Sequence, residues 1–438
     1  MAEAAADTQH RSDFKAPLRI ALLGYRSNPF SGGQGVYIRN VALSLAQRGH
    51  QIDVFSAAPY PQLPEHNGIR LIKVPSLNLY DVENPFLALR LNHLSSWADT
   101  AEWLAMNTGG FAEPYAFGRR IYKHLKLHGN YDIIHDNQTL SWGTLALQKH
   151  VTPLVTTLHH PITFDREIAL NHEQRWWMRL LIRRWHNFLN MQTKVTRRLH
   201  NIITVSENSK RDIAQAFQVK ENNISVIPNG IDVEFYKPDP TVQRDQWHLI
   251  STASADQPLK GTQYLIPAFA ELRKEHLQLR LTFIGHPKPN GVTAQLIDKF
   301  QLKDHITFAR GITNKELVAL YNRATVAVVP SEYEGFGLPA AEAMACGIPV
   351  VSSDGGALPE VVGTAGLVVP AKNVEKLTFA IHRLLTNPDK CHTLSKLGRE
   401  RILSCFNQEN IGQQLEQYYL DLIRSQTSDH TLTQQAQP

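Results

Sequence analysis

Short runs of branched and aliphatic residues, each about one strand long, alternate along the chain with longer stretches of helical periodicity, and this alternation leaves few folds open. In the first half the runs fall at 18–23, 52–55, 69–74, 133–135, 154–158, 202–205 and 225–227, with helical stretches such as 37–48 and 117–127 between them. That order predicts a parallel sheet covered by helices. The pattern restarts beyond Pro238 with runs at 279–284, 306–308, 325–329, 350–352 and 367–369, so a second α/β unit follows the first. With 438 residues, 42% of them hydrophobic, the chain has material for two or three cored domains.

The segment from Val226 to Pro240 carries Pro, Asn and Gly in the density that breaks elements, which puts a domain junction there. The expected units are 17–230 and 231–410, with a helix over 411–424 packing back on the first. Residues 1–16 and the Gln- and Thr-rich stretch 425–438 read as disordered tails.

Composition excludes several classes of function. A net charge of +5 spread over 438 residues does not describe a general nucleic-acid binder. Cys346, Cys391 and Cys405 are odd in number and lack CxxC spacing, which argues against a disulfide framework and a structural zinc site and favours a reducing compartment. The first residues do not read as a secretory signal, and no apolar stretch is long enough to span a bilayer. The expected location is cytoplasmic.

Four constellations can carry chemistry. The strongest runs from Pro330 to Val351, where a strand ends, a glycine loop follows and a helix starts near Leu338. Gly335 and Gly337 let the backbone approach a ligand, and free amides at a helix start donate to phosphate oxygens. Glu334 and Glu342 flank that anion position as acceptors for sugar hydroxyls. Glu342 lies among alanines and, as a partly buried carboxylate, needs a partner. The plainer reading has Glu342 pairing locally and the glycines only making a turn. Second, the 31–41 segment, with Gly32, Gly33 and Gly35, opens a helix directly after the first strand. It is not GxGxxG, which disfavours a dinucleotide fold, and by itself it is equally a plain βα turn. Third, Lys260 beside Gly261 precedes a helix, where a lysine can neutralise a leaving pyrophosphate or simply be solvated. Fourth, His159 and His160 stand at a strand's carboxyl end, where open α/β sheets bind ligands. A metal there would need a third ligand, for which His135 with Asp136 is the only candidate, so no metal is expected.

Between 173 and 199 seven basic residues face one acid, and Trp177, Leu181, Trp185, Phe188, Val195 and Leu199 share one face of a continuous helix. One reading is a peripheral contact with an anionic membrane through residues 173–199. The other is an apolar face packed on the sheet with solvated arginines.

Taken together these residues resemble the retaining glycosyltransferases of family 4, which have the GT-B fold of two Rossmann-like domains facing each other across a cleft. The resemblance rests on Gly32-Gly33-Gln-Gly35, Arg48-Gly49-His50, Asp132 to His135, His159, Ser206-Glu207, Pro228 to Asp232, Lys260-Gly261, Gly285 and, above all, the E-x7-E spacing of Glu334 and Glu342 followed by Ala345 to Val350. It implies an NDP-sugar donor held by the second half and a glycan, lipid-linked or other cell-envelope acceptor held by the first, with hexose transfer and no obligatory metal or other cofactor. By residue, it implies Glu334 at the donor sugar, Glu342 at the ribose, and amides near Phe336, Gly337 and Leu338 at the sugar and pyrophosphate. It implies Lys260 at the pyrophosphate, Gly32 and Gly33 closing over the phosphates, and His159 near the reacting sugar, with His160 and Asn137 on the acceptor side. One departure stands out: the family usually has an arginine five or six residues before this lysine, where this chain has Ser254 and Ala255. Lys288 or Arg310 is the expected substitute. The rival readings are a nucleotide-sugar epimerase on the same architecture and a non-catalytic sugar-nucleotide or glycan binder. A glycosidase is disfavoured because Glu334 and Glu342 lie on one loop and its helix, not on opposed strand ends.

Overall fold

The computed structural model describes residues 16–28, 33–79, 82, 84–88, 90–149, 152–252 and 257–435. Two wholly parallel sheets form the frame. The first holds β1 (Arg19–Gly24), β2 (Gln51–Ser56), β3 (Ile69–Lys73), β4 (Ile133–Asn137), β5 (Leu154–Leu158), β6 (Ile202–Thr204) and β7 (Ile224–Val226). The second holds β8 (His248–Ser251), β9 (Arg280–Ile284), β10 (Ile306–Ala309), β11 (Val326–Val329), β12 (Val350–Ser353) and β13 (Leu367–Val369). The strand orders are β3-β2-β1-β4-β5-β6-β7 and β10-β9-β8-β11-β12-β13.

The side-chain alternation of a strand explains why central runs such as β1 and β11 are apolar on both faces. On β1, Ala21 and Leu23 enter the core on one face of the sheet while Ile20 and Leu22 enter the core on the other. On β11, Ala327 and Val329 are likewise separated from Val326 and Val328. Both faces are covered by helices, so both sides of β1 and β11 carry apolar residues.

Chain order reverses direction between β1 and β4 in the first sheet and between β8 and β11 in the second. At such a switch point the connections leave in opposite directions and open a crevice at the carboxyl ends of the strands. The loops that follow β1, β4, β8 and β11 therefore converge on the crevice. The loops after β1, β8 and β11 carry the glycine segment near Gly33, Lys260 and Glu334 respectively, and Asn137 ends β4.

The chain leaves the first sheet at Val226 and enters the second at His248. It returns beside this crossing, where Ile231 pairs with Asn407 and a Cβ on Gly230 would lie 2.7 Å from Gln408 Cα. The last helix, Gln408–Gln435, lies along the first-domain helix Gln34–Gln47. Arg48 Nε donates to Glu416 at 2.6 Å, His50 Nε2 sits 3.0 Å from the same carboxylate, and Ser44 Oγ occupies the space a Cβ on Gly412 would need.

The polar tail expected from 425 is helical through Gln435, because the stretch from Ser425 to Gln435 contains neither Gly nor Pro to stop the helix. Residues 1–15 and 436–438 of the expected tails lie outside the described residues. No described helix is long and apolar enough to cross a membrane.

Candidate functional site

The helix Leu338–Ala345 starts immediately beyond the β11 loop, with Gly337 at its N-cap in the left-handed region, φ 102°. A side chain there would be strained and would also strike Leu358 Cδ2 at 2.7 Å. Glu334 stands at the front of this loop. Its Oε1 accepts from Lys260 Nζ at 2.7 Å and from Ser331 Oγ at 2.8 Å. Its carbonyl accepts from Ala357 N at 2.8 Å, and a Cβ on Gly356 would fall 2.2 Å from that same oxygen.

Lys260 reaches Glu334 because Gly261, at φ 68°, brings the β8 loop against the β11 loop; a Cβ on Gly261 would lie 1.9 Å from Pro330 O. The Lys-Gly dipeptide thus has two separable duties: glycine permits the approach and lysine supplies the charge. Glu342, one turn into the helix, has the partners its surroundings demand. Tyr321 Oη donates to Oε2 at 3.4 Å, and Tyr236 bonds the same carboxylate. Burial nevertheless pushes its carboxyl up to about 7, the two tyrosine hydroxyls offsetting only part of that effect.

The first domain meets this loop directly. A Cβ on Gly335 would lie 2.7 Å from His159 O and 3.2 Å from His160 Cβ. The Gly335 carbonyl accepts from Ser206 Oγ at 2.8 Å and Ser209 Oγ at 2.9 Å. Tyr333 Oη donates to Asp212 at 2.8 Å. Glu360 caps the start of the helix Glu207–Phe217 by accepting from Glu207 N and Asn208 N at 2.9 and 2.6 Å.

His159 is kept neutral by burial, which pushes its imidazole down to about 3. Its Nε2 donates to Asn137 Oδ1 at 2.7 Å, and Tyr37 packs edge-on against the ring at 4.7 Å. His160 behaves oppositely. Burial pulls it down, but Asp165, 3.1 Å from Nε2, and the Glu334 charge outweigh that and hold it above the ordinary imidazole value.

The structure therefore brings together Lys260, Glu334 and His160, joins His159 to Asn137, and sets Gly335 against both histidines. Gly33, at φ 72°, caps the Gln34–Gln47 helix, and a Cβ on it would lie 4.0 Å from Leu338 Cδ1. Phe336 is buried in the second-domain core beside Phe406, so only its backbone is available to a ligand. Gly32, Ser254 and Ala255 lie outside the described residues. Ser331, Tyr236, Tyr321, Ser209 and Asp165 have site contacts that the sequence reading did not assign. Of the Ser206-Glu207 pair it had the identity but not the contact with Gly335.

The segment 173–199 is not one continuous helix with one apolar face. A helix over Trp176–Trp185 gives way to a tight turn at His186–Phe188 and a second helix over Leu189–Thr196. Trp185 and Phe188 pack on Phe111, while Val195 and Leu199 are buried. Trp176, Trp177, Leu180 and Leu181 are exposed, Trp176 at 73%.

Known proteins match over nearly the whole chain. The sequence profile described as Glycosyltransferase Family 4 matches residues 31–235, and that described as Glycosyl transferases group 1 matches 234–401. An MMP alpha-(1->4)-mannosyltransferase of Mycolicibacterium hassiacum is 42% identical over 407 residues, covering 92% of this chain and 98% of its own length. A D-inositol 3-phosphate glycosyltransferase of Kribbella flavida is 26% identical, over 87% of this chain and 91% of its own. Among solved structures, a sucrose-phosphate synthase of Thermosynechococcus elongatus superposes with a TM-score of 0.70 at 26% identity, covering 93% of this chain and all of that one. With its two facing α/β domains and these relatives, the chain belongs to the family 4 glycosyltransferases of GT-B fold and is a transferase enzyme.

Proposed function

We propose that the enzyme moves a mannosyl residue from a nucleoside-diphosphate donor to a glycan acceptor, forming an α-(1→4) linkage with retention at the anomeric carbon. The observation that carries this reading is the Lys260–Glu334 pair at the second-domain switch point, in front of the helix that begins at Leu338. The choice of mannose and of linkage draws on the 42%-identical mannosyltransferase. A solved relative of the same fold, at 17% identity and a TM-score of 0.66, was crystallised with UDP-glucose, which supports a nucleotide-sugar donor here.

Displacing a nucleoside diphosphate needs charge stabilisation on two phosphates more than it needs a protein nucleophile. Lys260 and the amides at Gly337 and Leu338 stabilise the departing diphosphate, Glu334 orients the sugar, and the acceptor attacks from the face the diphosphate leaves. Gly33 faces the phosphates from the opposite domain. Neutral His159, with Asn137 and His160, lines the acceptor side. No metal is required for this step.

Incubation with a nucleoside-diphosphate mannose and an α-mannoside carrying a free 4-hydroxyl tests the proposal: free diphosphate and an α-(1→4) product appear together. An epimerase changes the donor without acceptor, and a binder releases no diphosphate.

If Glu342 accepts from the ribose hydroxyls, its ionisation governs donor affinity. With its carboxyl near 7, the ionised form dominates above that pH and the protonated form below it. The donor KM therefore rises as pH falls below 7, by up to about tenfold per unit. A pH series of initial rates reads this directly, and in Glu342→Gln the slope disappears.

The exposed Trp176, Trp177, Leu180 and Leu181 favour the membrane reading of 173–199, since the apolar side of that first helix is not packed on the sheet. Co-sedimentation with anionic vesicles is expected to retain the protein, to weaken as salt rises, and to fail in a Trp176→Ala/Trp177→Ala variant. Binding that is absent, or indifferent to salt, removes the membrane contact.

A further inference from the structure

The helix Thr262–Glu275 starts beside Gly261 at the carboxyl edge of the second sheet and runs back to the opposite edge before β9 begins at Arg280. Its last residue, Glu275, and its C-cap, His276, are thereby carried away from the cleft. There the helix packs against Val374–Leu385, which presents His382.

His276 Nε2 lies 3.2 Å from His382 Nδ1, and that nitrogen lies 3.8 Å from Glu275 Oε2. One ligand atom from each of the three residues falls within 4.8 Å of the others, and this is the only such metal-spaced group among the described residues. The edge of a tetrahedron around a zinc ion with bonds near 2.0–2.1 Å is about 3.3 Å, so the two nitrogens already stand at the separation that shared coordination requires. The Trp247 ring stacks on His276 at 4.3 Å and His276 stacks on His382 at 5.2 Å, which fixes both imidazoles before any ion arrives. Two of the three ligands sit at a helix C-terminus, where the backbone dipole favours a cation. The exposed glutamate needs only a rotamer adjustment to close its longer edge.

We propose that Glu275, His276 and His382 form a site for a borderline divalent cation, zinc foremost, with water as the fourth ligand, which staples the two helices together at the sheet edge opposite the cleft. The donor set of two imidazoles and one carboxylate selects zinc-like ions over magnesium or calcium. The staple contributes stability and takes no part in transfer.

The test uses the full chain, stripped with EDTA and then freed of it, titrated with Co2+. One equivalent is expected to give the visible absorption of four-coordinate cobalt, and Zn2+ to displace it. Zinc at about a hundred times its Kd raises the melting temperature by several degrees. In a His276→Gln/His382→Gln variant both signals vanish, while mannosyl transfer stays at the parent rate. Exposed Glu275→Gln, which leaves the stacked imidazoles in place, weakens cobalt binding and provides the reading if the double variant folds poorly. The proposal is overturned if cobalt gives no such absorption, if the absorption survives unchanged in the double variant, or if Glu275→Gln binds as the parent does.

Discussion

Glu334→Ala lowers kcat by about two to three orders of magnitude while the affinity for the free nucleoside diphosphate is kept or improved. The argument starts from the Oε1 atom, which accepts from both Lys260 and Ser331. Without a donor the carboxylate and the lysine neutralise each other. In the proposed donor complex the diphosphate lies near the lysine and the sugar near the carboxylate, so each charge gains its own partner. Removing the carboxylate leaves the lysine uncompensated, which favours a diphosphate but leaves the sugar unoriented. The loss then falls on the chemical step, of the size found when one positioned polar group is removed from an active site. Stability changes little, because the loop is also held by Ala357 N on the Glu334 carbonyl and by Ser206 and Ser209 on the Gly335 carbonyl. Initial rates of diphosphate release, with calorimetry of diphosphate binding, separate the two effects. Normal turnover in this variant rejects the assignment of the site.

The frame of the molecule was legible because central strands such as β1 and β11 are buried on both faces and so read as unbroken apolar runs. The candidate site left a mark in the sequence because the Lys260-Gly261 dipeptide and the spacing of two glutamates around a helix start are local, although the close approach that requires Gly261 is to the distant Pro330. What joins the pieces is not local. Lys260 and Glu334 are 74 residues apart, and Ser206 lies 129 residues from the Gly335 carbonyl it holds. A serine beside a glutamate at a helix start reads as an ordinary cap, which Ser206 also is, since it accepts from Ser209 N. The partners of Glu342 were unreadable for the same reason, as Tyr236 comes from the domain junction and Tyr321 from a helix before β11. At 173–199 the periodicity misled. It continues in register across the turn at His186–Phe188, although Trp177 and Leu181 are exposed while Val195 and Leu199 are buried.

Lys260→Ala is expected to cost kcat about as much as Glu334→Ala, and the double variant to be little slower than either. Residues that act as one unit are not additive, because the first removal already deprives the second of its role. Here the unit is an ion pair bridging the loops after β8 and β11, so the free-energy cycle should close with a large coupling. Two independent groups would instead multiply their losses. The same experiment bears on the missing arginine. Lys288 and Arg310 follow β9 and β10, the strands that continue outward from β8, so they stand on the same carboxyl edge as Lys260. Both are exposed. If either shares the charge of the leaving diphosphate, its alanine variant raises the donor KM and deepens the loss in the Lys260→Ala background. If both keep full turnover while Lys260→Ala loses it, the lysine and the backbone amides ahead of Leu338 carry the departing diphosphate by themselves. The arginine then has no counterpart in this enzyme because the helix start already supplies what it would have given.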